Sequence, residues 1–104
     1  MNKQDQEEHR LAAKAAGFDC EYDSDFDAMH NTTTGNGWHP KIRKDDSFDL
    51  MVACGIVVNR CGESVIAESD WAPEVLHVEW GYNAEAYMKV VFYGAVKIGM
   101  AMEL

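Results

Sequence analysis

The strongest pattern of apolar and polar positions lies near the end of the chain, where an apolar side chain recurs at every third or fourth position between Asn83 and Glu103. The apolar positions are Ala84, Tyr87, Met88, Val91, Ala95, Ile98 and Met102. This spacing predicts a helix, and Asn83 suits the N-cap because its side chain can accept from a backbone N–H two or three residues on. The apolar arc is wider than a surface helix needs, so we expect this helix to be covered on more than one side.

Two further helices are predicted earlier in the chain. Residues 3–16 carry a modest apolar face, and Gly17 is a suitable residue to end that helix. The second helix runs to about Gly55, and its N-cap is one of three adjacent residues, Asp45, Asp46 or Ser47. Its expected inner face consists of Phe48, Met51, Val52 and Gly55.

Three short strands are predicted between the last two helices, at residues 56–58, 64–68 and 76–80. Residues 59–63 are predicted to form a turn, and residues 69–74 a connection. The alternation in the third strand points Leu76, Val78 and Trp80 inward and His77 and Glu79 outward. The short connections favour an antiparallel meander.

These elements predict that residues 1–104 form a single small α+β domain. We expect a three-stranded antiparallel β-meander with the long C-terminal helix on one face and one or both N-terminal helices on the other, which makes an α/β sandwich.

Residues 18–27 carry the most unusual pattern, with an acidic residue at every second position. The acids are Asp19, Glu21, Asp23, Asp25 and Asp27. In one extended segment, all five carboxylates would share a face with a spacing of roughly 6.5–7 Å. Such a row could imitate the phosphates of a nucleic-acid strand, or it could simply be a solvated strand edge.

A small, polar, glycine-rich segment follows at residues 28–37, and we expect it to be an exposed flexible loop. The sequence Trp38-His39-Pro40 closes this segment, and Pro40 favours an extended backbone at His39. Trp38 either packs as a lid over the edge of the core or belongs to a binding site.

Composition limits the function classes. The chain has 104 residues, 47% of them hydrophobic, and a formal net charge of −9. This charge argues against direct binding to nucleic acid, which requires a basic face, and it suits a partner with a basic surface. The chain has no apolar run long enough to span a membrane, and residues 1–10 are too polar for a signal peptide, so we expect a soluble intracellular protein.

No catalytic, metal or cofactor site is predicted. The cysteines Cys20, Cys54 and Cys61 and the four histidines show none of the short spacings typical of zinc sites. Glycine-rich phosphate-binding motifs and a nucleophile elbow are also missing from the sequence. An enzyme or ligand-binding module around Trp38, His39 and His77 is kept as an alternative, and a Cys–His nucleophile also stays open.

Small residues in the last helix allow another backbone to approach closely. They are Gly94, Ala95, Gly99 and Ala101. Within one chain they would let the helix pack on the sheet, and between chains they would form the seam of a homodimer.

Three features together resemble the small phage-encoded family of ABA-sandwich or NinX-like proteins. They are the tripeptide Trp38-His39-Pro40, the helix start Asp45-Asp46-Ser47-Phe48-Asp49-Leu50, and a C-terminal helix with Ala86-Tyr87, Val91, Ala95 and Ile98-Gly99. The resemblance covers residues 8–102 and implies an accessory protein of a tailed phage, located in the cytoplasm of the bacterial host. It supplies no catalytic residues.

The leading hypothesis is a non-enzymatic protein that binds a host protein with a basic surface. In its most specific form, the acidic row inhibits a nucleic-acid-handling or defence enzyme by phosphate mimicry. The predicted partner-binding residues are Asp19, Glu21, Asp23, Asp25, Asp27, Trp38 and His39.

Overall fold

The computed structural model describes residues 1–70 and 72–104, and for residues 72 and 73 it describes the backbone alone. Within these residues, three α-helices and five β-strands follow one another. They are α1 (Lys3–Ala16), β1 (Cys20–Asp23), β2 (Ala28–Asn31), α2 (Lys44–Cys54), β3 (Ile56–Cys61), β4 (Ser64–Ser69), β5 (Ala72–Trp80) and α3 (Ala84–Met102). Strands β1 and β2 pair in a two-stranded antiparallel sheet, and β3, β4 and β5 form a three-stranded antiparallel meander in that order.

Helix α3 is the central layer of the fold. It packs on the meander with one side, and α1 and α2 pack on its other sides. The predicted fold class, an α+β domain with a meander and a long C-terminal helix, is therefore confirmed. The predicted layer order is wrong, because α1 and α2 cover α3 rather than the second face of the sheet.

Both ends of α1 and the start of α3 follow local capping chemistry. The Asn2 side chain accepts from the Asp5 N–H at 2.8 Å, and the Asn83 side chain accepts from the Ala86 N–H at 2.8 Å. Gly17 ends α1 with a φ of 74°, a left-handed conformation that glycine adopts without steric cost. The predicted bounds of α1 and the predicted N-cap of α3 are confirmed.

Helix α2 differs from its prediction at both its start and its buried face. It begins at Lys44 without a side-chain cap, and it buries Ser47, Leu50 and Cys54. Phe48 and Val52, which were expected to face the core, are 61% and 62% exposed. Apolar residues occupy almost every position of this helix after Ser47, so periodicity does not define a single inner face.

The two glycines of α3 allow close packing within the chain. A Cβ at Gly94 would lie 3.2 Å from the Ala67 Cβ on the sheet, and a Cβ at Gly99 would lie 2.1 Å from the Leu11 carbonyl oxygen on α1. The small residues that suggested a homodimer seam at these two positions are therefore used for packing inside one chain.

Strand β5 exposes a different face than predicted. Ala67 pairs with His77, but Glu68 pairs with Val75, so Leu76 is an extra residue at a β-bulge. Leu76 stays buried as predicted, whereas Val78 and Trp80 are 52% and 75% exposed. His77 and Glu79 lie instead on the face that packs on α3, opposite the buried Ala67 and Val65. The predicted orientation is therefore wrong for every residue after the bulge.

The meander consequently has one face that no described helix covers. The strand register places nine residues there, in the three rows Val57–Glu68–Val75, Asn59–Ile66–Val78 and Cys61–Ser64–Trp80. Only Glu68 among them is charged. The connection predicted at residues 69–74 is shorter in the structure, because β4 ends at Ser69 and β5 begins at Ala72, and Trp71 lies outside the described residues.

No helix in the described part of the chain combines the length and the hydropathy that a membrane crossing needs.

Candidate functional site

The acidic segment forms a β-hairpin rather than one extended row. Strand β1 ends at Asp23, residues 24–27 form a turn, and β2 returns from Ala28 with Tyr22 opposite Met29. Asp27 has a φ of 49°, a left-handed conformation that Asp and Asn tolerate better than most residues. The prediction of five carboxylates on one extended face is therefore wrong beyond Asp23, since Asp25 and Asp27 lie in the turn. The predicted loop at 28–37 likewise begins with strand β2.

Asp27 is engaged within the chain. Its carboxylate accepts a hydrogen bond from the Tyr22 hydroxyl at 2.5 Å and forms an ion pair with the Met1 ammonium group. Both contacts lower the pKa of Asp27 below its usual range, and the ammonium group has the larger effect. Asp27 thus fixes the turn against strand β1 and contributes less free charge than the other acids.

The remaining acids of the hairpin keep their charge uncompensated. Asp19, Glu21 and Asp25 are exposed, and no basic group among the described residues lies within ion-pair distance of them. The Asp23 carboxylate accepts from the Asp25 N–H at 2.9 Å, which leaves its charge in place. Some acids elsewhere pair with bases, as Glu103 does with Arg10 and Lys14, whereas others, such as Asp49, have no ion pair within the described residues. The hairpin differs in that four such acids lie close together, within residues 19–25.

Trp38 anchors the hairpin to the core. Its side chain is only 3% exposed, and its ring meets the rings of His9 and Phe18 edge-on at centroid distances of 6.0 and 6.2 Å. Its backbone N–H donates to the Met29 carbonyl at 3.0 Å, which ties it to β2. The prediction that Trp38 packs on the core is confirmed, and this packing fixes the position of the acidic strands.

The other residues of the alternative ligand site lie apart. The His39 N–H donates to the Asp46 carboxylate at 2.9 Å, and the His39 side chain lines a small cavity of about 260 Å³ with Asp5 and Lys41. His77 lies on the inner face of the meander, 5.2 Å from the Tyr93 ring and 3.0 Å from the Glu79 carboxylate. Trp38, His39 and His77 therefore do not line a common cavity among those found in the described residues.

A larger groove lies between the segment after β2 and helix α2. Its volume is about 730 Å³. Phe18 and Trp38 lie in it beside the exposed Phe48 and Val52 of α2, and Asp45, Asp46, Asp49 and Arg43 also line it. The predictions missed this groove because they placed Phe48 and Val52 in the core.

The thiols near these elements are not activated. Burial raises the pKa of Cys20 to about 11, with smaller contributions from Asp19 and Asp46, and burial alone raises the pKa of Cys54 to about 11. Both stay protonated at neutral pH, whereas nucleophilic cysteines need a lowered pKa. Within residues 1–70 and 72–104, no group of three or more His, Cys, Asp or Glu side chains is arranged to hold a metal ion.

Comparisons with known proteins identify no relative of this chain. No family model, no curated protein and no solved structure matches the chain. The resemblance to the phage ABA-sandwich or NinX-like family therefore stays a prediction from the sequence, and the fold that the structure shows is a small α+β domain whose C-terminal helix packs on an antiparallel meander.

Proposed function

We propose that this protein is a small accessory protein of a phage that acts in the bacterial host cytoplasm by binding a host protein with a basic surface. The observation that carries the proposal is the uncompensated negative charge on the β1–β2 hairpin. In the specific form, the partner is an enzyme that handles nucleic acid or serves in defence, and the hairpin occupies the groove where that enzyme binds phosphates.

The geometry of the hairpin supports this mechanism over a short stretch. Glu21 and Asp23 are two residues apart on one strand, so their side chains share a face at about 6.5–7 Å. Asp25 continues the charge around the turn, and Asp19 extends it before the strand. Because β1 is paired with β2, which is tied to Trp38, the backbone that carries these carboxylates is held in place before binding, and this reduces the entropy lost on association.

The proposal is tested by neutralising Glu21, Asp23 and Asp25 together to the corresponding amides. Asp27 stays unchanged because it holds the turn. The matched control neutralises three exposed acids elsewhere, Glu63, Asp70 and Glu74, which gives the same net charge. Tagged wild-type protein and both variants are used to capture partners from a bacterial lysate, at 0.1 M and 0.5 M salt, with identification by mass spectrometry.

We expect one partner that is captured by the wild type and the control at low salt and is lost from the hairpin variant. Higher salt should weaken the capture, because screening shortens the range of charge interactions from about 10 Å at 0.1 M ionic strength. Capture that survives in the hairpin variant, or that falls equally in both variants, would refute the proposal.

A second candidate function is a structural homodimer, and the uncovered face of the meander favours it. Trp80, Val78 and Val75 are exposed there. The strand register places one charged residue on this face, Glu68, although the chain has a formal net charge of −9. A second copy of the same nearly neutral face would cover it without bringing acids together. Equilibrium sedimentation of the wild type and of Trp80→Ser tests this, since a dimer through this face should dissociate in the variant and a monomeric wild type would exclude it.

A further inference from the structure

The groove between residues 31–38 and helix α2 has the composition of a site for a cationic side chain on a long aliphatic stem. We propose that it binds an arginine side chain in an extended segment of the partner protein, next to the contact that the hairpin makes. This inference rests on the proposed function for the identity of the partner, but it concerns a separate surface and can be tested separately.

The apolar part of the groove suits an arginine stem. Phe48 and Val52 are one helical turn apart on α2, so their exposed side chains form a continuous wall. Phe18, which is partly exposed, supplies aromatic surface in the same groove, and the buried Trp38 lies behind it in the wall. Arginine buries its methylene groups along such surfaces while its head group stays polar, and the planar guanidinium can also stack on an aromatic ring.

The charged part of the groove suits the guanidinium. Asp45, Asp46 and Asp49 line it, and the one base that lines it is Arg43. Arg43 lies 3.7 Å from the Asp45 carboxylate and 3.8 Å from the Asp46 carboxylate, too far for hydrogen bonds. Asp49 has no ion pair within the described residues. The net charge of the lining is therefore negative, which selects a cation and repels phosphate, and a carboxylate accepts two parallel N–H bonds from arginine.

The other wall of the groove is neutral and polar. It is formed by Asn31, Thr34, Asn36 and Gly37, which add hydrogen-bonding groups without offsetting the acids. Trp38 has a buried indole N–H with no acceptor among the described residues. Because Trp38 lies in the wall of the groove, the chemical shift of its indole N–H reports on a ligand bound there.

The test uses a defined probe, the blocked pentapeptide acetyl-Ala-Arg-Leu-Arg-Ala-amide. The control peptide carries citrulline in place of both arginines, which keeps the shape and removes the charge. Each peptide is titrated into ¹⁵N-labelled full-length protein at 0.15 M salt, and the chemical shifts of the backbone amides and of the Trp38 indole N–H are followed. We expect shifts concentrated at residues 31–38 and 45–53, and binding at least about tenfold weaker for the citrulline peptide.

Three variants locate the site. Asp49→Asn and Phe48→Ser change exposed residues of the groove and should each weaken binding of the arginine peptide at least about fivefold. Glu63→Gln, a charge change in the turn between β3 and β4, should leave binding unchanged. Shifts that stay outside the groove, equal binding of the citrulline peptide, or equal losses in Asp49→Asn and Glu63→Gln would each overturn the inference.

The hairpin variant separates this inference from the proposed function. If the arginine peptide still binds the groove when Glu21, Asp23 and Asp25 are neutralised, the groove is an independent site. Loss of peptide binding in that variant would overturn the inference, because the peptide would then be bound by the hairpin. Capture of the lysate partner by the hairpin variant would refute the proposed function while leaving the groove result intact.

Discussion

The contact between α3 and α1 at Gly99 permits a sharp test of the packing. In the substitution Gly99→Ala, the new Cβ would lie 2.1 Å from the Leu11 carbonyl oxygen, 2.7 Å from the Leu11 carbonyl carbon and 3.0 Å from the Leu11 Cα. Carbon and oxygen atoms in close backbone contacts are about 3.3–3.6 Å apart. All three atoms belong to the backbone of α1, so no side-chain rotation relieves the clash and the two helices must separate by about 1 Å.

Two opposing effects set the magnitude. Replacing a helical glycine with alanine favours the helix by about 1 kcal/mol. Forcing extra volume into a packed interface costs about 1–3 kcal/mol, and the upper end applies here because a separation of 0.5–1 Å removes about a quarter to a half of the dispersion attraction across the whole contact. The expected net loss in the free energy of unfolding is about 2 kcal/mol, which lowers Tm by roughly 10 °C in a domain of this size.

The same substitution at Gly94 is the matched control. A Cβ there would meet the Ala67 Cβ at 3.2 Å and the Ile56 Cδ1 at 3.5 Å, contacts that a shift of a few tenths of an ångström relieves. The helix-propensity gain should then roughly cancel the packing cost and leave stability within about 1 kcal/mol of the wild type.

Urea unfolding of both variants, followed by far-ultraviolet circular dichroism, measures the difference. If Gly99→Ala is as stable as Gly94→Ala or more stable than the wild type, then α1 does not pack on α3 as described.

Two further predictions concern titratable and reactive groups. Burial lowers the pKa of His9, whose Nδ1–H donates to the Asp5 carbonyl at 2.6 Å, so the unfolded chain binds more protons than the native state below pH about 6.5. The free energy of unfolding should therefore be highest above that pH and fall as the pH drops toward 5.5. Urea unfolding of His9→Gln should show a smaller fall, and an equal fall would contradict the burial of His9. Cys61 is exposed, whereas Cys20 is half-buried, Cys54 is buried, and the pKa of each of these two thiols is raised to about 11. A disulfide reagent at pH 7.5 should therefore label one thiol rapidly in the native protein and all three in urea. A second thiol that reacts rapidly without urea would contradict the packing of α1 or α2.

Part of the fold could be predicted from the sequence because several signals agreed at α1 and α3. In α3, apolar spacing and the cap at Asn83 coincide, and in α1 the apolar face stops just before Gly17. The bulge at Leu76 could not be predicted, because residues 76–80 alternate perfectly and a bulge leaves no trace in such a pattern. One extra residue reverses all side chains that follow it, which is why Val78 and Trp80 are exposed.

The candidate site was harder to predict than the fold. The alternation of acids continues from β1 through the turn, so period two hides the point where the strand ends at Asp23. The composition of residues 24–27 did contain a signal, since Asp and Ser favour turns and Asp tolerates the left-handed conformation found at Asp27. The groove depends on which side of α2 is exposed, and a helix with Phe48, Leu50, Met51 and Val52 in close succession does not reveal this by spacing.

The central position of α3 has a consequence for synthesis of the chain on the ribosome. Helices α1 and α2 and the meander are all made before α3, yet each of them buries its apolar side chains against it. Until α3 is made, residues such as Leu11, Leu50 and Val65 have no partner layer and stay exposed on the nascent chain. At about 5–20 residues per second, the 19 residues of α3 add roughly 1–4 s to this vulnerable interval, during which chaperones that recognise apolar segments can bind.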